Sequence, residues 1–291
     1  MKTDWASFKK LFKVPIPVDK HAEYYIETLA RSQEWAHLPG LLEEFKAFQA
    51  RCPEGQVGAV RKATMNQLID YLTSTEAYKA FQAGEHYEPI STCDKRGQFD
   101  EWSVVSIDLV AANFYTFWSF GLPHDTWEDL CESQGVDPLL IKSKSFRQIV
   151  FGNLNPKRNQ RVQAANMDKI HKSLQETLGD KFHLVFLQHD ELIFVSDGDV
   201  DDSVRASKEA ISQLGEIPAR INVHSKQRLG GKGQFVVQHF DPDTFHMLYK
   251  TLFGVPGTRY FIEFKKHILK EPLDERDRLF VNDGKIAMWL E

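Results

Sequence analysis

The chain of 291 residues is poor in cysteine, in net charge and in uninterrupted apolar sequence, and each shortage removes a class of protein. Its three cysteines, Cys52, Cys93 and Cys131, form no Cys-x-x-Cys pair. That excludes a zinc ribbon, a thioredoxin-like motif and a disulfide-built miniprotein, and so sparse a count suits a reducing compartment. The longest stretch without charge, residues 109–123, falls short of the roughly 20 residues that a membrane-spanning helix needs. The first ten residues carry Asp4 and lack a signal-like apolar run, so a cytoplasmic location without a membrane partner is expected. Thirty-six Lys and Arg against 41 Asp and Glu leave a net charge of -5. Any contact with nucleic acid must therefore come from a local patch. No internal repeat or low-complexity tract is present.

What remains is an ordinary globular composition, with 42% apolar, 12% aromatic and 26% charged residues. Residues 20–84 read as helical, because Tyr24, Tyr25, Leu29, Leu41, Leu42, Phe45, Phe48, Leu68, Ile69, Leu72 and Phe81 recur at three- and four-residue spacing. Pro39-Gly40 and Pro53-Glu54-Gly55 read as breaks, and the region as a cap or a contact for an accessory protein. The pattern changes near residue 100. A strand is expected over 102–107, an aromatic-rich helix packing into the core over 109–120, and helices over 143–151 and 159–178. Strands over 183–188 and 192–195 flank His189-Asp190-Glu191. A helix over 200–214 then leads to strands over 221–225 and 234–239, joined by Gly230-Gly231-Lys232-Gly233, which lacks the Lys-[Ser/Thr] of a phosphate loop. This order predicts an α+β fold with an antiparallel sheet covered by helices on one face; the tail over 241–291 reads as mixed.

Three features point to chemistry. Two apolar strands enclosing His189-Asp190-Glu191 place adjacent carboxylates where a counter-charge is needed, and a divalent cation is one such charge; an acidic exposed turn is the alternative. Asp108 ends a strand that runs into a helix, so it is either a helix N-cap or a metal ligand. An acid at a strand end together with one on a neighbouring hairpin is the arrangement that holds two metal ions for phosphoryl transfer. Between these acids, Lys142, Lys144, Arg147, Lys157, Arg158, Arg161, Lys169 and Lys172 face a single acid, Asp168. Helical spacing puts Lys144, Arg147 and Phe151 on one face, two cations and an aromatic platform.

In this order the features resemble the polymerase domain of A-family DNA polymerases. Asp108 matches the strand-ending Asp of the first motif, Lys144, Arg147 and Phe151-Gly152 resemble the second motif's helix, and His189-Asp190-Glu191 matches the third motif residue for residue. Gln163-Ala164-Ala165 resembles the helix that approaches the hairpin. The resemblance implies a reduced palm over 96–240 with a compact fingers insertion at about 125–160, a helical region over 1–95 and a C-terminal extension over 241–291. It implies Mg²⁺ or Mn²⁺ on Asp108 and Asp190, with Glu191 assisting near the primer terminus. Lys144 and Arg147 would grip a nucleoside triphosphate, and Phe151 would stack near the nascent base pair. Lys157, Arg158, Arg161, Gln163 and His189 would contact primer-template. The chain departs from the family in having Asn113, followed by Phe114, where a Glu beside the nucleotide's sugar is usual, and Ser143 where a Lys is usual. The expected activity is template-directed nucleotidyl transfer without proofreading. A catalytically inactive nucleic-acid-binding or scaffolding protein, and a metal-dependent nuclease, are the alternatives.

Overall fold

The computed structural model describes residues 2–14, 16, 19–30, 35–84, 87–88, 90–95, 102–213, 215, 217–228, 235–240, 247–253, 272, 279–282 and 285–288. Among these residues the helices α1 (Trp5–Phe12), α2 (Ala22–Leu29), α3 (Leu38–Arg51), α4 (Val57–Ser74) and α5 (Glu76–Ala83) come first. Strands β1 (Cys93–Asp94) and β2 (Trp102–Leu109) follow. Next come α6 (Ala112–Trp118), α7 (Trp127–Ser133), α8 (Pro138–Ile141), α9 (Lys144–Gly152) and α10 (Pro156–Leu178). Then β3 (Phe182–Gln188) and β4 (Glu191–Ser196), α11 (Val200–Ser212), β5 (Ala219–Arg228), β6 (Phe235–Phe240) and β7 (Met247–Phe253) complete the main sheet. Strands β8 (Leu279–Asn282) and β9 (Lys285–Met288) pair with each other in a two-stranded sheet of their own. The expected Gly230–Gly233 turn lies outside the described residues.

The main sheet runs β1-β3-β4-β2-β5-β6-β7, antiparallel at every pairing. Strand alternation sends Val105, Ile107 and Leu109 of β2 and Leu192 and Phe194 of β4 to one face, where they pack with Met167, Ile170 and Leu174 of α10 and Val204, Ala206 and Ala210 of α11. The expected α+β arrangement, helices on one face of an antiparallel sheet, is present. Strand β7, within the segment read as a C-terminal extension, hydrogen-bonds to β6.

A second core belongs to the helices. Phe8, Phe45, Phe81, Phe114, Phe117, Trp127, Phe146 and Phe151 share it, so α1–α5 and α6–α9 form one packed body. Trp127 is fully enclosed there and its indole N–H donates to the Ile141 carbonyl at 3.0 Å, which removes the cost of burying that donor. Local chemistry starts these helices: Asp4, Thr75, Thr126 and Ser143 each accept a backbone N–H of the first turn through a side-chain oxygen. At the seam, Arg51 pairs with Asp137 at 2.7 Å and Lys142 with Glu44 at 2.6 Å.

Two local expectations are overturned. Pro39-Gly40 does not break a helix; it lies in the first turn of α3, where the missing N–H of proline costs nothing. Leu109 ends β2 instead of opening a helix, and α6 begins at Ala112 behind Ala111, whose φ is 47°. Asp108 therefore sits inside a strand and is not an N-cap.

His171 on α10 is half-buried against Phe182, 5.6 Å between ring centroids. Burial lowers its pKa from the ordinary 6.5; Asp168 pulls the other way and Lys172 adds to the lowering. The unfolded chain thus takes up this proton more readily than the folded one. Stability is complete above the unfolded value and declines as the pH falls from there toward the depressed one. Urea midpoints measured across that window should fall for the wild-type chain, and His171→Gln should flatten this part of the slope.

Candidate functional site

The register of three strands assembles the site. Asp108 on β2 stands opposite Glu191 on β4 and opposite Arg220 on β5. Because Ile107 and Leu109 face the helix-covered core, Ser106, Asp108 and Glu191 face the other side of the sheet. The Ser106 hydroxyl donates to Glu191 Oε1 at 3.1 Å, a bond from a side chain that is 1% exposed. Arg220 Nη2 lies 3.7 Å from Asp108 Oδ2. Two like charges opposite one another destabilise a strand pair; the guanidinium on the far side of Asp108 and the hydroxyl on Glu191 offset that repulsion.

Gln188 pairs with Glu191, so the hairpin tip is the two residues His189-Asp190 and Glu191 belongs to the sheet. His189 has a φ of 36°, uncommon for a side chain with a Cβ. The Leu109 N–H donates to the Asp190 carbonyl at 2.9 Å, which seats the tip against the end of β2. Left-handed backbone flanks the acids at two places, His189 at the tip and Ala111 (φ 47°) just past Asp108. Three of the expected residues, Asp108, Asp190 and Glu191, are thus brought together on neighbouring backbone, with His189 beside them.

The remaining expected residues divide. Asn113 accepts from Gln163 Nε2 at 2.9 Å and from Asn159 Nδ2 at 3.3 Å, and Gln163 also donates to Asn159 Oδ1 at 2.8 Å. Gln163 is 3% exposed, so its amide is committed inside the protein rather than to nucleic acid; a buried amide must find such partners. Phe151 is 1% exposed, with its ring 5.4 Å from Phe117 and 5.8 Å from Trp127. It is a core residue in this structure, and Phe114 beside it is buried too. Neither offers a free face to a base pair.

On α9, Lys144 is exposed and Arg147 is half-buried. Burial lowers the Arg147 pKa, opposed by Glu128, Cys131 and Tyr115. Ser143 is fully buried, donating to the Leu11 carbonyl at 2.6 Å while capping α9. Lys157 and Arg161 are exposed near the start of α10, and Arg158 is held against Phe81. Lys169 and Lys172 belong to the part of α10 packed on the helix-covered face, the side of the sheet away from Asp108 and Glu191, and Lys172 pairs with Asp168 at 2.7 Å. The run of cations along the sequence is therefore split between two regions.

Ser106 and Arg220 were not expected. Ser106 was readable, since two-residue alternation from Asp108 puts it on the same face; Arg220 depends on the pairing of β5, which no local pattern reveals. Neither a protein-family model nor a curated protein matches the chain.

Two outcomes follow from this geometry. Phe151→Ala should cost about 3–5 kcal/mol of folding stability, seen as a lower urea midpoint. Ala111→Gly should instead raise stability by about 0.5–1 kcal/mol, because glycine adopts the left-handed backbone without the Cβ penalty; an unchanged or lower midpoint would show that the turn is not strained.

Proposed function

We propose that the chain is a compact template-directed nucleotidyltransferase that extends a primer 3′ end with a reduced A-family-like palm and no proofreading unit. The observation that carries this reading is the strand register that sets Asp108 opposite Glu191, with the Asp190 backbone bonded to the end of the same strand. An all-oxygen donor set is what hard divalent cations take. Asp108 and Asp190 are the residues that would hold Mg²⁺ or Mn²⁺, although among the described residues no three such side chains already form a cluster. When bound, the cation supplies charge neutralisation for the phosphate groups.

The chain's own residues supply the rest. Ser106 fixes the orientation of Glu191 through its hydroxyl. Arg220, exposed and 3.7 Å from Asp108, is placed to meet a phosphate oxygen beside the acids. Lys144, Lys157 and Arg161 are exposed cations that attract a polyanionic strand. Phosphoryl transfer asks mostly for such positioning and charge complementarity.

A second reading, a polymerase-like nucleic-acid-binding protein without turnover, is favoured by the buried state of Ser143, Phe151 and Gln163. These sit at or near positions where the family engages nucleotide and template. Among the described residues no helix is long and apolar enough to cross a membrane.

The deciding assay supplies Mg²⁺ or Mn²⁺, labelled primer-template and either dNTPs or NTPs, with Asp108→Asn and Asp190→Asn in parallel. The expected result is extension by the wild-type chain that drops by orders of magnitude in both variants while salt-sensitive binding persists. Extension that survives in Asp190→Asn would sink the proposal. Binding without product would establish the second reading, and shortening of the primer would establish a nuclease.

A further inference from the structure

A cleft of about 240 Å³ lies between the end of α5 and the first turns of α10, lined by Gln82, Tyr87, Asn155, Lys157, Arg158 and Arg161. Among the described residues its lining holds three cations, two amides and a phenol, and no carboxylate. We propose that this cleft binds a phosphate group, and that it is a site separate from the acids at Asp108 and Asp190.

The cleft is built rather than incidental. Arg158 is fixed from three directions: its Nε donates to the Phe81 carbonyl, and its guanidinium carbon lies 5.4 Å from the Phe81 ring centroid and 5.8 Å from that of Tyr87. Gly84 makes room for it, since a Cβ there would meet Arg158 Nη2 at 2.9 Å and Phe120 Cε1 at 3.1 Å. Asn155 ties the two walls together. Its Oδ1 accepts the Arg158 N–H at 3.3 Å, and its Nδ2 donates to Gln82 Oε1 at 3.0 Å. That second bond leaves the Gln82 amide nitrogen available as a donor.

Charge argues for an occupant. Lys157, Arg158 and Arg161 crowd together, and no acid lies in the first turn of α10. Cations repel one another there, and the helix end adds to that repulsion instead of relieving it. Among the described residues Lys157 and Arg161 have no ion-pair partner. A phosphate supplies negative charge opposite Lys157 and Arg161 and several acceptor oxygens, and the planar guanidinium of a pre-fixed arginine matches it. The volume is below the roughly 300–1,000 Å³ of sites that enclose a drug-sized ligand. It suits a phosphate with part of a sugar, from a free nucleotide, a strand end or an internal phosphodiester.

Titration calorimetry at constant ionic strength tests this with inorganic phosphate, with a nucleoside 5′-monophosphate, and with one single-stranded oligonucleotide in 5′-phosphorylated and 5′-hydroxyl forms. Saturable binding of at least one probe is expected, weakened about tenfold by Lys157→Gln or Arg161→Gln and more by both. Gly84→Ala, which leaves the charge unchanged, should also weaken it by displacing Arg158, and thermal melts of each variant verify folding. A preference for the 5′-phosphorylated strand assigns a strand end, and equal binding of both strands assigns internal phosphodiesters. Asp190→Asn should bind as the wild type does, so failure of the polymerase reading leaves this result distinct. No saturable binding of any probe, or binding indifferent to the double variant, would overturn the proposal.

Discussion

The in-register pairing of β4, β2 and β5 is the constraint on which the candidate site depends. It makes a transverse row of Glu191, Asp108 and Arg220 on one side of the sheet, while the intervening apolar residues of the same strands fill the core on the other. Neither half of this is independent. The apolar contacts with α10 and α11 lock the register, and the locked register is what brings acids from distant parts of the chain side by side. Ser106, buried and bonded to Glu191, belongs to both: it is part of the strand and the support of the acid.

The helical body plays a supporting part for the helices that carry the cations. It holds α9 through the Ser143 bond to the Leu11 carbonyl and the ion pair of Lys142 with Glu44, and it holds α10 through Arg158 against Phe81. The N-terminal helices are thus structural partners of the cation-bearing helices. Their shared aromatic core also explains why Phe114 and Phe151 are inside.

How much of this could be read in the residues varies with the range of the interaction. The hairpin strands, α10, α11 and the strand through Asp108 were legible because each carries its own apolar period. The acids at 108, 190 and 191 were legible because polar residues interrupt apolar strands there. Shorter elements such as β1, α7 and α8 are too brief to show a period. Pro39 misled because a proline reads as a stop unless its place in the first turn is known. The likeness to polymerase motifs located Phe151 and Gln163 along the chain and said nothing of their burial, which is decided by packing between elements far apart in sequence. Arg220 was invisible for the same reason.

The row across β4, β2 and β5 carries a consequence for how such a chain can vary over descent. Side chains in a strand change sides with every residue, so a single codon gained or lost between Val105 and Asp108 would turn the acid toward α10 and α11 and an aliphatic residue outward. The stretch 119–125, after α6, is under no such parity rule. Lineages of this protein would be free to lengthen or trim the helical connections while the spacing of Ser106 to Asp108 stayed invariant.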